Sequence, residues 1–311
     1  MKAEAKQATT RSNLNVRQRL LDAHIKGVLT AVALMSVLAT TPAAAEDNKD
    51  LDLKVFGLTV FGLTADQDLV KFRGNRPGWL RVIGVVAPLQ APDTSLVGID
   101  FRVQDGQLYG VGNAGGVYTI DTTTATATLV SQLTVPLDGA FFGVDFNPAA
   151  DRLRIVSDTG QNLRHNVNLG GVTAVDANLT YTQPPIVPAA YTPVTTLGVT
   201  GAAYTNNDLD TNTGTTLFDI DTALDQVVIQ SPPNNGILVA TGKLTVDTDA
   251  PVGFDIYTRL KNSVAIGNAG FASLVVGGVN GFYHVSLLTG KATNIGTFDE
   301  QVVDIAVRLN Q

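Results

Sequence analysis

The chain has 311 residues, with 28 Asp or Glu against 21 Lys or Arg and a formal charge of −7, a balance that disfavours contact with nucleic acid phosphates or anionic lipid heads. It contains no cysteine, which excludes disulfides and thiol chemistry. Three histidines leave little material for acid–base or zinc sites.

Residues 1–45 read as an export signal. Lys2, Lys6, Arg11, Arg17, Arg19 and Lys26 precede the apolar run "GVLTAVALMSVLAT" from Gly27 to Thr40, and the small residues Ala43 and Ala45 predict cleavage after Ala45. The run is 14 residues long, short of the roughly 20 that a permanent membrane helix needs. Its removal leaves a charge of −11 and a periplasmic or secreted protein, with no later segment apolar enough to cross a membrane. Residues 46–54 read as a short linker and 55–311 as one domain.

That domain begins with "VFGLTVFGLT", "DLVKFRG" and "WLRVIGVV", three strands with no innermost strand before them. The tandem copies Val55–Thr59 and Val60–Thr64 leave open which one pairs. Next comes a full unit of four strands, "GIDFRV", "QLYGVG", "GVYTID" and "TATLVSQL", separated by turn residues at Asp105-Gly106 and Gly115-Gly116. Strands similar to the first of these recur, aligned on Asp100, Asp145, Ala203, Asp255 and Asp304, at spacings of 45, 58, 52 and 49 residues. Such periods with four strands each predict an all-β β-propeller of five four-stranded blades. The last strand, "VVDIAVRL", has no sheet after it and completes the first blade, closing the ring. A six-bladed ring is the competitor, if "YTRLKNSVAIGNAG" or the Pro-rich stretch hides further strands; an open sandwich or solenoid is the other alternative.

The third unit contains "SDTGQNLRHNV", Ser157–Val167, whose polar residues run past the turn into the strand, which turn chemistry alone does not require. Meander topology puts this turn on the top face, with Asp138, the long crossover Tyr181–Thr196 and other acidic loops. Asp158, Gln161, Asn162 and Arg164 are therefore the candidate ligand-binding residues: a guanidinium for an anionic or carbonyl group, amides for hydroxyls or backbone groups. The same topology puts Asn206, Asn207, Asn234 and Asn235 on the bottom face, apart from that stretch. The repeated aspartates could ring the channel around calcium, but bonding to the backbone of neighbouring blades is the favoured reading, and no cofactor or metal ligand is assigned. "DLDTNTG", Asp208–Gly214, has the alternating oxygens of a calcium loop with its glycine one position late, and reads as a turn. No Gly-x-Ser-x-Gly elbow occurs, and no catalytic residue is assigned.

"GVDFNPAADRLRIVSDTGQNLRHNV", "AAYTNN", "QSPPNNG" and "GVYTIDTTTATATLV" together resemble the exported bacterial proteins described as domain of unknown function 4394. The resemblance runs from about Leu58 to Leu309 and implies a secreted propeller-type repeat protein, with no activity attached. The leading expectation is a noncatalytic binding or scaffold protein for a glycan, a peptide or a polar small molecule. The alternatives are a calcium-assisted periplasmic hydrolase of lactonase type and a structural envelope or extracellular protein.

Overall fold

A computed structural model describes residues 57–181, 194–195 and 198–309. Blade one contains β1 (Thr59–Thr64), β2 (Asp68–Arg73) and β3 (Arg76–Val85). Blade two is β4 (Leu96–Phe101), β5 (Leu108–Gly112), β6 (Gly116–Ile120) and β7 (Ala127–Gln132); blade three is β8 (Phe142–Asn147), β9 (Arg152–Ser157), β10 (Asn162–His165) and β11 (Thr173–Val175). Two short strands, β12 (Thr180–Tyr181) and β13 (Val194–Thr195), precede blade four, which is β14 (Val199–Tyr204), β15 (Leu217–Asp221), β16 (Gln226–Gln230) and β17 (Ile237–Lys243). Blade five is β18 (Asp249–Lys261), β19 (Val264–Val276), β20 (Val279–Val285) and β21 (Ala292–Thr297), and β22 (Val302–Val307) ends the chain's strands.

β22 pairs antiparallel with β1, Val60 opposite Val307 and Leu63 opposite Asp304, so it is the inner strand of blade one. The second copy of the duplicated pentapeptide is thus the paired one; of the first, Val55 and Phe56 lie outside the described residues and Thr59 opens β1. The inner strands β22, β4, β8, β14 and β18 touch in sequence around a closed ring, giving the five-bladed propeller that the spacing predicts. Neither suspected insertion adds a blade among the described residues. "YTRLKNSVAIGNAG" lengthens the β18–β19 hairpin, and β12 and β13 extend the outer edge of blade four, β12 running parallel to β17.

The core is divided into five apolar clusters, one in each seam between neighbouring blades. Inner strands are buried on both faces and so read as nearly continuous apolar runs. Their glycines let neighbouring strands approach. A Cβ on Gly143 would stand 2.5 Å from the Ala202 nitrogen, and one on Gly253 2.5 Å from the Asp304 Cα. This close packing explains the recurring glycine two residues before the aspartate position.

Candidate functional site

The aspartates of the inner strands tie each blade to the next. Asp304 Oδ2 accepts the Ile99 N–H at 2.7 Å, Asp100 Oδ2 that of Phe146 at 2.7 Å, Asp145 Oδ1 that of Tyr204 at 3.1 Å and Asp255 Oδ2 that of Val307 at 2.5 Å. Blade four has Ala203 in this position. Its bonds to blade five come instead from the following turn, where Asn206 N–H donates to Asn268 Oδ1, Asn207 N–H to Thr258 Oγ1, and Asp208 Oδ2 accepts from Ala265 N–H. "DLDTNTG" is accordingly a turn, in which Asp208 and Asp210 accept the N–H groups of Asp210 and Asn212.

All four channel aspartates are buried, and carboxylate oxygens of Asp100, Asp145 and Asp255 lie within 4.8 Å of one another. Burial, joined by the charge of Asp255, raises the Asp100 pKa well above the carboxylate range. Burial and the charge of Asp100 do the same for Asp145, and burial for Asp304, while burial pushes Asp255 up to about 6 against the bonds from Val307 and Ile256. Oxygen ligands of this kind suit a hard cation. They equally suit shared protons, because like charges in a low dielectric cannot all ionise. Their positions follow from the bonds they make to neighbouring blades.

Strand alternation divides the polar stretch between the two faces of blade three. On the side of the crossover from blade two, Asp158 Oδ1 accepts the N–H groups of Ala140 (2.9 Å) and Phe141 (3.3 Å), while Gln161 accepts from Asp138 N–H and donates to the Pro136 carbonyl. His165 is buried on the same side between Ser131 and Thr173, and burial lowers its pKa to about 4. Asn162 and Arg164 face blade four. The structure therefore separates the four candidate residues into two pairs.

The second pair belongs to a network centred on Arg154, a fully buried residue of β9. Its guanidinium donates to Asn162 Oδ1 (2.7 Å), Asp176 Oδ2 (2.6 Å), Asn234 Oδ1 (2.9 Å) and Tyr204 OH (3.2 Å). Asn162 is also fully buried, and its amide donates to the Ala177 and Pro233 carbonyls. Asp176 accepts a second guanidinium, Arg164 binding it through Nε (2.6 Å) and Nη2 (2.9 Å). Arg164 keeps 35% of its side chain exposed, against 2% for Arg154. Buried Asp219 has no hydrogen-bond partner on either oxygen among the described residues, and burial raises its pKa well above normal although the charge of Arg154 acts the other way. Two guanidiniums thus share one carboxylate, leaving surplus positive charge where Arg164 reaches the surface.

Asn234 overturns part of the topological expectation. Strand direction puts its loop on the bottom face, yet it shares Arg154 with Asn162. The segment after β11 is bonded to the β16–β17 turn of blade four, Ala177 N–H donating to the Asn234 carbonyl and Thr180 N–H to that of Gly236, a meeting of opposite ends that the usual twist of a sheet allows. Sequence reasoning also passed over Arg154, Asp176, Asp219 and Gln230, whose amide donates to Asn162 Oδ1 at 3.3 Å and to the Pro233 carbonyl. The signal for Arg154 was present: a charged residue between Leu153 and Ile155, within an apolar strand.

The family model described as Domain of unknown function (DUF4394) matches residues 68–306. No curated protein matches the chain by sequence. Among solved structures, the chain is similar to one from a nidogen/laminin complex (10% identity, TM-score 0.45, covering 82% of this chain and 100% of that one). It is also similar to a structural-genomics protein of unknown function from Bacteroides thetaiotaomicron VPI-5482 (14%, 0.42, 81% of this chain and 64% of that one). A third is an auxiliary nutrient binding protein from the same organism (11%, 0.37, 80% and 58%).

Proposed function

The chain belongs to the family described as domain of unknown function (DUF4394), and we propose that it is an exported, noncatalytic binding propeller that holds a small polar ligand at the outer seam between blades three and four. The observation that carries this reading is the sharing of Asp176 by Arg154 and Arg164. One carboxylate offsets one guanidinium, and Arg164 retains donors at the surface for a carboxylate or carbonyl of the ligand. Asn162 and Arg154 act as positioning residues, because solvent does not reach them. Asp158 and Gln161 brace the adjoining turn against its crossover, which lowers the ordering cost of binding.

Screening the purified chain against acidic and neutral saccharides and short peptides, then titrating the best binder calorimetrically, tests this reading. Arg164→Ala should weaken binding roughly tenfold or more, the worth of a charge-assisted hydrogen bond. Gln161→Ala should weaken it less. Unchanged affinity in Arg164→Ala would sink the proposal.

A further inference from the structure

The outer edge of blade one carries a surface that the seam does not explain. Trp79, the chain's single tryptophan, is 76% exposed, and the Arg76 guanidinium lies 5.0 Å from its ring centroid. Arg73 stands opposite Arg76 across β2 and β3, and Lys71 opposite Arg81. Like charges directly opposite one another on a sheet are unfavourable. The ion pairs among the described residues involve Arg102, Arg154 and Arg164, and none involves Lys71, Arg73, Arg76 or Arg81. Arg76 lies over the open indole and Arg81 follows two residues after it on the same strand; on β2, the Lys71 ammonium lies 5.5 Å from the Phe61 ring centroid and Arg73 donates to the Gly57 carbonyl and Thr59 Oγ1. On a chain of charge −7, these four cations on one pair of strands form a local field opposite in sign to that of the molecule.

Charges and bulges also protect sheet edges from pairing, and β3 has both. An exposed tryptophan serves no such purpose, since it adds apolar area to the edge that the charges would guard. The form of the edge decides between partners. The pairing jumps from Lys71↔Arg81 to Arg73↔Arg76, so Pro77–Leu80 bulge out opposite Phe72 alone. A strand added along this edge would lose regular backbone partners there. Recognition falls to side chains: a flat apolar ring between guanidiniums that bind carboxylates in a fixed fork. That combination fits a sugar ring bearing a carboxylate.

We propose that the Arg76–Trp79–Arg81 edge of blade one binds an acidic polysaccharide of uronate type, by stacking a sugar on Trp79 and pairing its carboxylates with Arg76 and Arg81. The surface is separate from the Arg164 seam and does not depend on it.

Trp79 reports on its own site, because it is the chain's only tryptophan. Titration of the full chain with oligogalacturonate should shift tryptophan emission to shorter wavelength and protect it from iodide and acrylamide. The response should weaken as salt rises. The fully methyl-esterified oligomer, equal in shape and without charge, should give little response. Arg76→Gln and Arg81→Gln, both at exposed positions, should each weaken the affinity roughly tenfold, while Arg164→Ala leaves it unchanged. An equal response to the methyl ester, or unaltered affinity in both glutamine variants, would overturn the proposal. Loss in Arg164→Ala alone would assign the response to the seam and would also overturn it. Tighter binding of polyglutamate at Trp79 would make the partner an acidic peptide instead. Emission already shielded in the free chain, and opened when the chain is begun at residue 55, would assign the surface to the acidic run Glu46, Asp47, Asp50 and Asp52.

Discussion

Between blades five and one, Phe72 meets Phe282 and Phe298 edge to face with centroids 5.1 Å apart, and Phe271 stacks on Phe282 at 5.4 Å. Between blades three and four the apolar cluster is smaller, holding Val156, Leu179, Ala202, Tyr204 and a few others, and the space beside it is filled by Arg154 and its partners. The repeat builds both seams alike and fills them differently. Aromatic filling stabilises through burial and needs no partner beyond shape. Polar filling contributes little net stability, because desolvation offsets most of the attraction, but it fixes groups in place and brings a charge to the surface.

Truncation in the two seams gives the largest expected effects. Phe282→Ala should lower unfolding stability by about 3–5 kcal/mol in urea titrations. Arg154→Ala should lower it by about 3 kcal/mol, since Asn234 Oδ1 loses its donor and Asn162 and Asp176 each lose one of theirs. The seams should then part company. Replacing three of its members together, as Arg154→Met with Asn162→Leu and Asp219→Leu, should recover part of that loss; failure to recover would mean that the network specifies the docking of blade four and does not merely fill space.

The channel aspartates sharpen the comparison, being buried polar groups without a basic partner. A carboxyl whose folded pKa lies above its unfolded value favours folding at low pH, and that contribution is lost as pH rises through the folded value. For Asp255 the loss runs from about pH 4 to about 6, and Asp100, Asp145 and Asp304 carry it higher. His165, with its pKa lowered to about 4, acts in the opposite sense as pH falls below 6.5. Asp100→Asn should leave stability unchanged near pH 4 and raise it by on the order of 1 kcal/mol at pH 8, with His165 cancelling in the difference. A variant less stable at pH 8 would show that the ring needs its full charge. Melting with and without EDTA separates protons from calcium: equal curves are expected, and a drop with EDTA would assign the ring to a cation. Arg164→Ala should have the smallest effect on stability, below about 1 kcal/mol, because a third of its side chain is solvated.

Much of the fold was legible because it repeats. Apolar alternation, Asp-Gly and Gly-Gly turns and the spacing of the inner strands give five blades, and the unpaired ends give the closure. The aspartates were legible as ties between blades, since a carboxylate in an apolar strand must find a donor. The candidate site was only partly so. Asp158, Gln161, Asn162 and Arg164 stand close in sequence, but period-2 alternation sends them to two faces of blade three, and Asn162 is fully buried.

The sequence by itself pointed to the blades, to five of them ahead of six, and to the aspartates that tie one blade to the next, because those follow from short-range periodicity repeated along the chain. Only the tertiary structure decided that Arg154, Asn162, Asp176 and Asn234 meet. Their encounter depends on how far each sheet twists between its inner and outer strands, a cumulative rotation that no local pattern encodes.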